Sequence, residues 1–150
     1  MGPLKDIKIL EFSGIGPGPY CGMLLADMGA DVIRVGRKGT EGVENKYDIH
    51  NRSKRSITAD LKNKDTINEI LKLIDQVDVV FEGYRPGVME KLGLGPDICL
   101  ERNPKLVYGR MTGWGQKGPM SNLAGHDINY ISLSGALNSI GRKDSNPIPP

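Results

Sequence analysis

Residues 7–35 constrain this chain more than any other stretch: an apolar run, IKILEF (7–12), a Gly/Pro break, GIGPGPY, a helical stretch, and a second apolar run, ADVIRV (30–35). Both runs are short, apolar and rich in branched side chains, and read as buried strands. Between them YCGMLLADMG places Tyr20, Met23, Leu24 and Met28 at helical spacing, and Gly29 closes the helix. A strand, a helix and a strand in so short a span imply two parallel strands joined by a right-handed crossover. An α/β fold is expected, with a Rossmann-like parallel sheet and flanking helices.

The alternation continues downstream. Residues 36–54 lack periodicity and read as a polar loop with a basic end, followed by a strand, RSITADL (55–61). NKDTINEILKLIDQ is an amphipathic helix with Ile67, Ile70, Leu71 and Ile74 on one face. VDVVFE (77–82) is strand-like, RPGVMEKLG and GPDICLERN are short helices each opening at a proline, and KLVYGRM (105–111) is a further strand. A Gly-rich loop, TGWGQKGPMSNLAG, leads to a helix expected from about His126 to Asn138, with Ile128, Ile131 and Leu137 able to face the core. The proline-rich tail reads as the start of another extended segment. The whole, residues 1–150, is expected to be a single domain.

Several classes of function are disfavoured. A net charge of +2 advertises neither nucleic acid nor a membrane surface, and no apolar run reaches spanning length. The N-terminus has no signal-peptide core, and Cys21 and Cys99, far apart in apolar contexts, read as buried free thiols. These features suit a reducing, cytoplasmic setting, and no metal site is expected.

GIGPGP (14–19) has two of the three glycines of a dinucleotide fingerprint, but Pro19 takes the third place. The following strand carries Arg34 and Arg37 where a ribose-binding acid would stand. Arginine there suits a phosphorylated ribose, as in NADP or coenzyme A. Arg37, Arg52, Lys54, Arg55, Lys62 and Arg85 fall mostly at strand ends or in the following loops, and as a set they suit a ligand with several phosphates. Taken singly, each reads as solvated surface charge.

His126 reads either as a capping histidine or as a general base. At a helix start the positive end of the dipole favours the neutral imidazole that a base needs. The same turn offers backbone N–H groups, notably that of Asp127, to hold an oxyanion. A base and an oxyanion hole together suit removal of a proton from carbon beside a carbonyl. Asn129 and Tyr130 lie one turn on, where they can orient His126 or touch ligand.

Five collinear stretches carry a resemblance over all 150 residues: GIGPGPYCGMLLADMGADVIRV, KRSITADLK, EGYRPGVMEKLGLGP, MTGWGQKGP and GHDINYISLSG. The chain resembles the N-terminal part of the large domain in the family III CoA transferases and, through GHDINY, the α-methylacyl-CoA racemases within that superfamily. The resemblance implies that His126 is one of two acid/base residues and that Arg37 contacts the CoA nucleotide. It implies that Ala59, Asp60, Leu61 and Lys62 line the CoA site, that Tyr84 and Arg85 belong to the same site with Arg85 near the phosphates, and that Gly125 to Tyr130 surround the thioester. It implies a racemase acting on 2-methylacyl-CoA thioesters through an enolate, with CoA arriving as part of the substrate and no separate cofactor. It also implies an interlocked homodimer and a second acid/base aspartate beyond Pro150. Because members of the family are more than twice this length, the chain reads as a fragment, inactive alone. CoA transfer between carboxylic acids, a non-catalytic CoA-binding module and an NADP-dependent reductase stand as alternatives.

Overall fold

The computed structural model describes residues 2–12, 14–37 and 47–150. They fall into two compact units, Met1–Thr112 and Gly113–Pro150.

The first unit holds a five-stranded sheet in the order β3-β2-β1-β4-β5, all parallel. The strands are β1 (Lys8–Phe12), β2 (Asp31–Arg37), β3 (Arg55–Ala59), β4 (Val79–Glu82) and β5 (Val107–Arg110). Four helices accompany them: α1 (Pro17–Asp27), α2 (Lys64–Ile74), α3 (Val88–Lys91) and α4 (Pro96–Arg102). β1 is central, with Leu10 between Ile33 of β2 and Val80 of β4. Alternate residues of β1 then serve different cores, as the two-residue period of a strand requires. Leu10 and Phe12 join Ile70 and Ile74 of α2 with Met89, Leu94 and Cys99. Ile9 joins Val32, Phe81, Ala26 and Ala30 in a smaller cluster.

Several boundaries differ from the sequence expectation: β3 ends at Ala59, β4 begins at Val79 and β5 spans only Val107–Arg110, and three further differences have local causes. Helix α1 starts at Pro17, whose fixed φ suits the first helical position. Its buried face is Gly22, Met23 and Ala26, whereas Tyr20, Leu24 and Met28 are 51%, 40% and 39% exposed. Small residues let α1 approach β1 so closely that a Cβ on Gly22 would lie 1.9 Å from Oε2 of Glu11. β2 runs on to Arg37 because Gly36 and Arg37 pair with Thr58 and Ala59. α3 opens after Gly87, whose φ of 82° is left-handed, and not at Pro86, while α4 does open at Pro96. Of the expected loop at 36–54, residues 38–46 lie outside the described residues. Near its end Ile49–Asn51 form a 3-10 turn capped by the Asp48 side chain.

α2 is capped by Asn63, whose side-chain oxygen accepts from the N–H groups of Asp65 and Thr66 at 2.8 and 3.4 Å. Asn63→Ala strips these donors and is expected to cost about 1 kcal/mol of stability, read as a lower urea midpoint at unchanged slope.

The second unit contains α5 (Asp127–Leu133) and a 3-10 turn, Ala136–Ser139. The single helix expected to Asn138 is interrupted because Gly135 takes φ 80°, a left-handed conformation that cannot propagate an α-helix. Ile128, Ile131 and Leu137 do not form a buried core: no residue of 113–150 is buried, and Ile128 is 41% exposed. The tail, expected to be extended, takes no strand assignment; the Ile148 N–H donates to the Ile140 carbonyl at 3.1 Å and closes a loop over 140–148. Among the described residues no helix is long and apolar enough to cross a membrane, and no cluster of His, Cys, Asp and Glu could hold a metal.

Candidate functional site

A parallel sheet presents its ligands with the carboxyl ends of its strands, above all where the strand order reverses. Here the chain builds outward from β1 through β2 to β3, then returns to the other side for β4 and β5, so the reversal lies between β1 and β4.

Three expected contact groups stand on that edge. Arg37 is exposed at the end of β2. Ala59 is buried at the end of β3, Asp60 and Lys62 are exposed, and Leu61 packs against the core. The Asp60 carboxylate accepts the Lys62 N–H at 3.0 Å, a turn that delivers Lys62 directly after the strand. Tyr84 and Arg85 follow β4; the Tyr84 ring packs against the core and Arg85 is exposed. Burial pushes the Tyr84 hydroxyl above its ordinary range, with the Glu82 charge adding to the effect.

The wider basic set does not hold together as a phosphate site. Arg52 forms a two-pronged pair with Asp27 at the end of α1, at 3.1 and 2.5 Å. Arg55 stands at the opposite, amino end of its strand and pairs with Asp31 at the start of β2. Lys54 is buried: its ammonium donates to Glu11 at 2.6 Å and to the Pro19 carbonyl at 2.9 Å. Of the six, Arg37, Lys62 and Arg85 are left on the ligand edge. Spacing alone could not separate them, because the acidic partners are distant in sequence.

Sequence reasoning missed two buried glutamates beside the reversal point. Glu11 and Glu82 are 0% and 1% exposed, at the penultimate residue of β1 and the last of β4. Burial raises the carboxyl of Glu11 above the usual glutamate range against the pull of Lys54, and that of Glu82 against Tyr84 N–H and Arg110. An acid set among apolar residues at or next to the end of a strand, as in ILEF and VVFE, is the signal that could have found both. Cys21 is half-buried and feels the Glu11 charge, so its surroundings are not simply apolar. Cys99 is the buried thiol expected, pushed up to about 11 by burial.

In the second unit Gly125 to Tyr130 are contiguous around the start of α5. His126 is the residue preceding the helix, not part of its first turn, and it is exposed. Its N–H donates to Oδ1 of Asn129 at 2.9 Å, and its carbonyl accepts from the N–H groups of Asn129 and Tyr130. Asn129 therefore orients the His126 backbone. The Asp127 N–H, first in the helix, has no acceptor within it. Tyr130 stacks at a tilt on Trp114, with centroids 5.0 Å apart, and its hydroxyl lies where a Cβ on Gly113 or Gly125 would stand, 2.2 Å away in each case. Glycine at both positions makes room for that ring.

The sequence pattern of CoA-transferase family III matches residues 4–150. The chain belongs to CoA-transferase family III. Within this family it is 49% identical over 147 residues to mouse alpha-methylacyl-CoA racemase and 48% identical over 149 to the human protein of that name. Each alignment covers 98% of this chain and 38% of the relative, so the chain spans about two fifths of the length of these curated relatives. A CAIB/BAIF family protein from Brucella suis superposes with a TM-score of 0.88 at 30% identity, over 99% of this chain and 43% of the other.

Proposed function

We propose that this family III chain supplies the CoA-contacting edge and one acid/base group of an enzyme that transfers a proton at C2 of a 2-methylacyl-CoA thioester. The observation that carries this reading is His126, an exposed imidazole in a chain 49% identical to a racemase. Its backbone groups hold the helix start through Asn129 and Tyr130 whatever proton the ring carries. The imidazole takes the proton from one face of C2, and the electron pair moves onto the thioester oxygen as an enolate. The Asp127 N–H is the donor offered to that oxygen, because the His126 N–H is already committed to Asn129. Return of a proton from the opposite face inverts the centre. That face needs a second group, placed by this reading in sequence after Pro150, so the 150 residues alone should not racemise. Arg37, Lys62 and Arg85 hold the nucleotide and phosphates of CoA, with Tyr84 and the Ala59–Leu61 turn beside them. CoA is part of the substrate, and the active assembly is an interlocked homodimer in the cytoplasm.

The test uses the full product of the gene with a single enantiomer of a 2-methylacyl-CoA in D₂O. Deuterium entering at C2, together with loss of optical activity, is the expected result. Exchange of CoA between two carboxylic acids, with C2 untouched, would make the protein a transferase and overturn the reading.

A further inference from the structure

We propose that Glu82, Arg110 and Glu90 are positioning residues that set the Tyr84–Arg85 turn for the nucleotide end of an acyl-CoA; this rests on the reading of Arg85 as a CoA contact. Glu82 is the last residue of β4, and Arg110 stands opposite it at the end of β5. The two oxygens of the Glu82 carboxylate are divided. Oε2 accepts the Tyr84 N–H at 2.6 Å, and Oε1 accepts Nε–H of Arg110 at 3.0 Å. The remaining arms of the guanidinium donate to both oxygens of Glu90 on α3, at 2.7 and 3.2 Å. One arginine thus grips both ends of the connection 83–87: its departure from the sheet through Glu82, and its landing through Glu90.

Plain stabilisation is a poor account of this cluster. Two carboxylates share one cation, and one of them is almost fully buried, an arrangement that apolar side chains of similar volume would often match or better. What charged, directional bonds add is a fixed backbone path. Between the two anchors lies a turn whose tyrosine packs on the core and whose exposed arginine is the residue to be aimed. A turn held at both ends loses little freedom when a phosphate arrives, and that raises affinity without any new contact.

The test compares a 2-methylacyl-CoA with the same acyl group on pantetheine, which lacks the nucleotide. α-Proton exchange is measured for both in the full gene product. Glu82→Gln is expected to lower kcat/KM for the CoA thioester about tenfold or more, through KM, with little change for the pantetheine thioester. Arg85→Ala should shift the same ratio, and the double variant should shift it no further. Glu90→Gln changes only the exposed end of the cluster, so it reads the same ratio, with a smaller shift, even where Glu82→Gln does not fold. If Arg85→Ala shifts the ratio while both glutamate variants leave it alone, or lower both substrates equally, the positioning role is refuted. If Arg85→Ala itself leaves the ratio untouched, the CoA-contact reading falls, and this inference with it.

Discussion

Lys54→Met is expected to destabilise the chain by about 3–5 kcal/mol at neutral pH, because it strands a buried carboxylate. The side chains of Lys54 and Glu11 are 1% and 0% exposed, and among the described residues Oε1 of Glu11 already has no hydrogen-bond partner. Without the ammonium, Oε2 loses its partner too, and α1 lies too close at Gly22 for the side chain to move away. A loss of that size is a large share of the total stability of a typical domain. The pH dependence has a definite sign. Burial holds the Glu11 carboxyl above the ordinary 4.5, and the two strongest opposing influences are the hydrogen bond and the charge of Lys54. A carboxyl raised in the folded state binds its proton more tightly there than in the unfolded chain. Its contribution is therefore full below 4.5 and drains away as pH climbs through the raised value. Removing Lys54 raises that value further. The deficit of Lys54→Met should widen as pH rises above 4.5, and adding Glu11→Gln should recover part of it. Urea denaturation at several pH values measures both. A deficit under about 1 kcal/mol at neutral pH would show that the pair is solvated and not buried.

Much of this fold was readable because the signals that encode it are local. Apolar runs at 7–12, 30–35 and 77–82 mark the central strands, and Ile67, Ile70, Leu71 and Ile74 repeat at the helical period. Packing choices were not readable in the same way. Tyr20, Leu24 and Met28 share the helical period with Met23, yet close approach at Gly22 and Ala26 decides which face of α1 is buried. The basic residues show the same limit. Nothing near Arg52, Lys54 or Arg55 announces Asp27, Glu11 or Asp31, which lie more than twenty positions away and meet them only through the crossover. The helix at His126 ends early for a reason that is local but easily overridden in a periodic pattern: one glycine, Gly135, in a left-handed conformation.

His126→Ala, in the full product of the gene, is expected to slow α-proton exchange by about 10²- to 10⁴-fold, the usual worth of a positioned general acid or base. The structure makes this substitution a clean one. The start of α5 is held by the His126 N–H on Asn129 and by the His126 carbonyl receiving the N–H groups of Asn129 and Tyr130. Alanine keeps all of these backbone bonds and gives up only the imidazole's place in the capping box, beside the Asn129 N–H. An exposed ring gives up little packing when it is removed, so a fall in rate reports chemistry and not folding. CoA affinity should change little, since Arg37, Lys62 and Arg85 belong to a different part of the chain. Direction is the sharper readout. One imidazole serves one face of C2, so exchange into D₂O should be measured from each enantiomer separately under single-turnover conditions. The enantiomer whose proton His126 removes should suffer more than the one whose proton leaves toward the second group. Exchange at the unaltered rate from both enantiomers would make His126 a residue of the helix start and nothing more, and the proton-transfer reading would be lost.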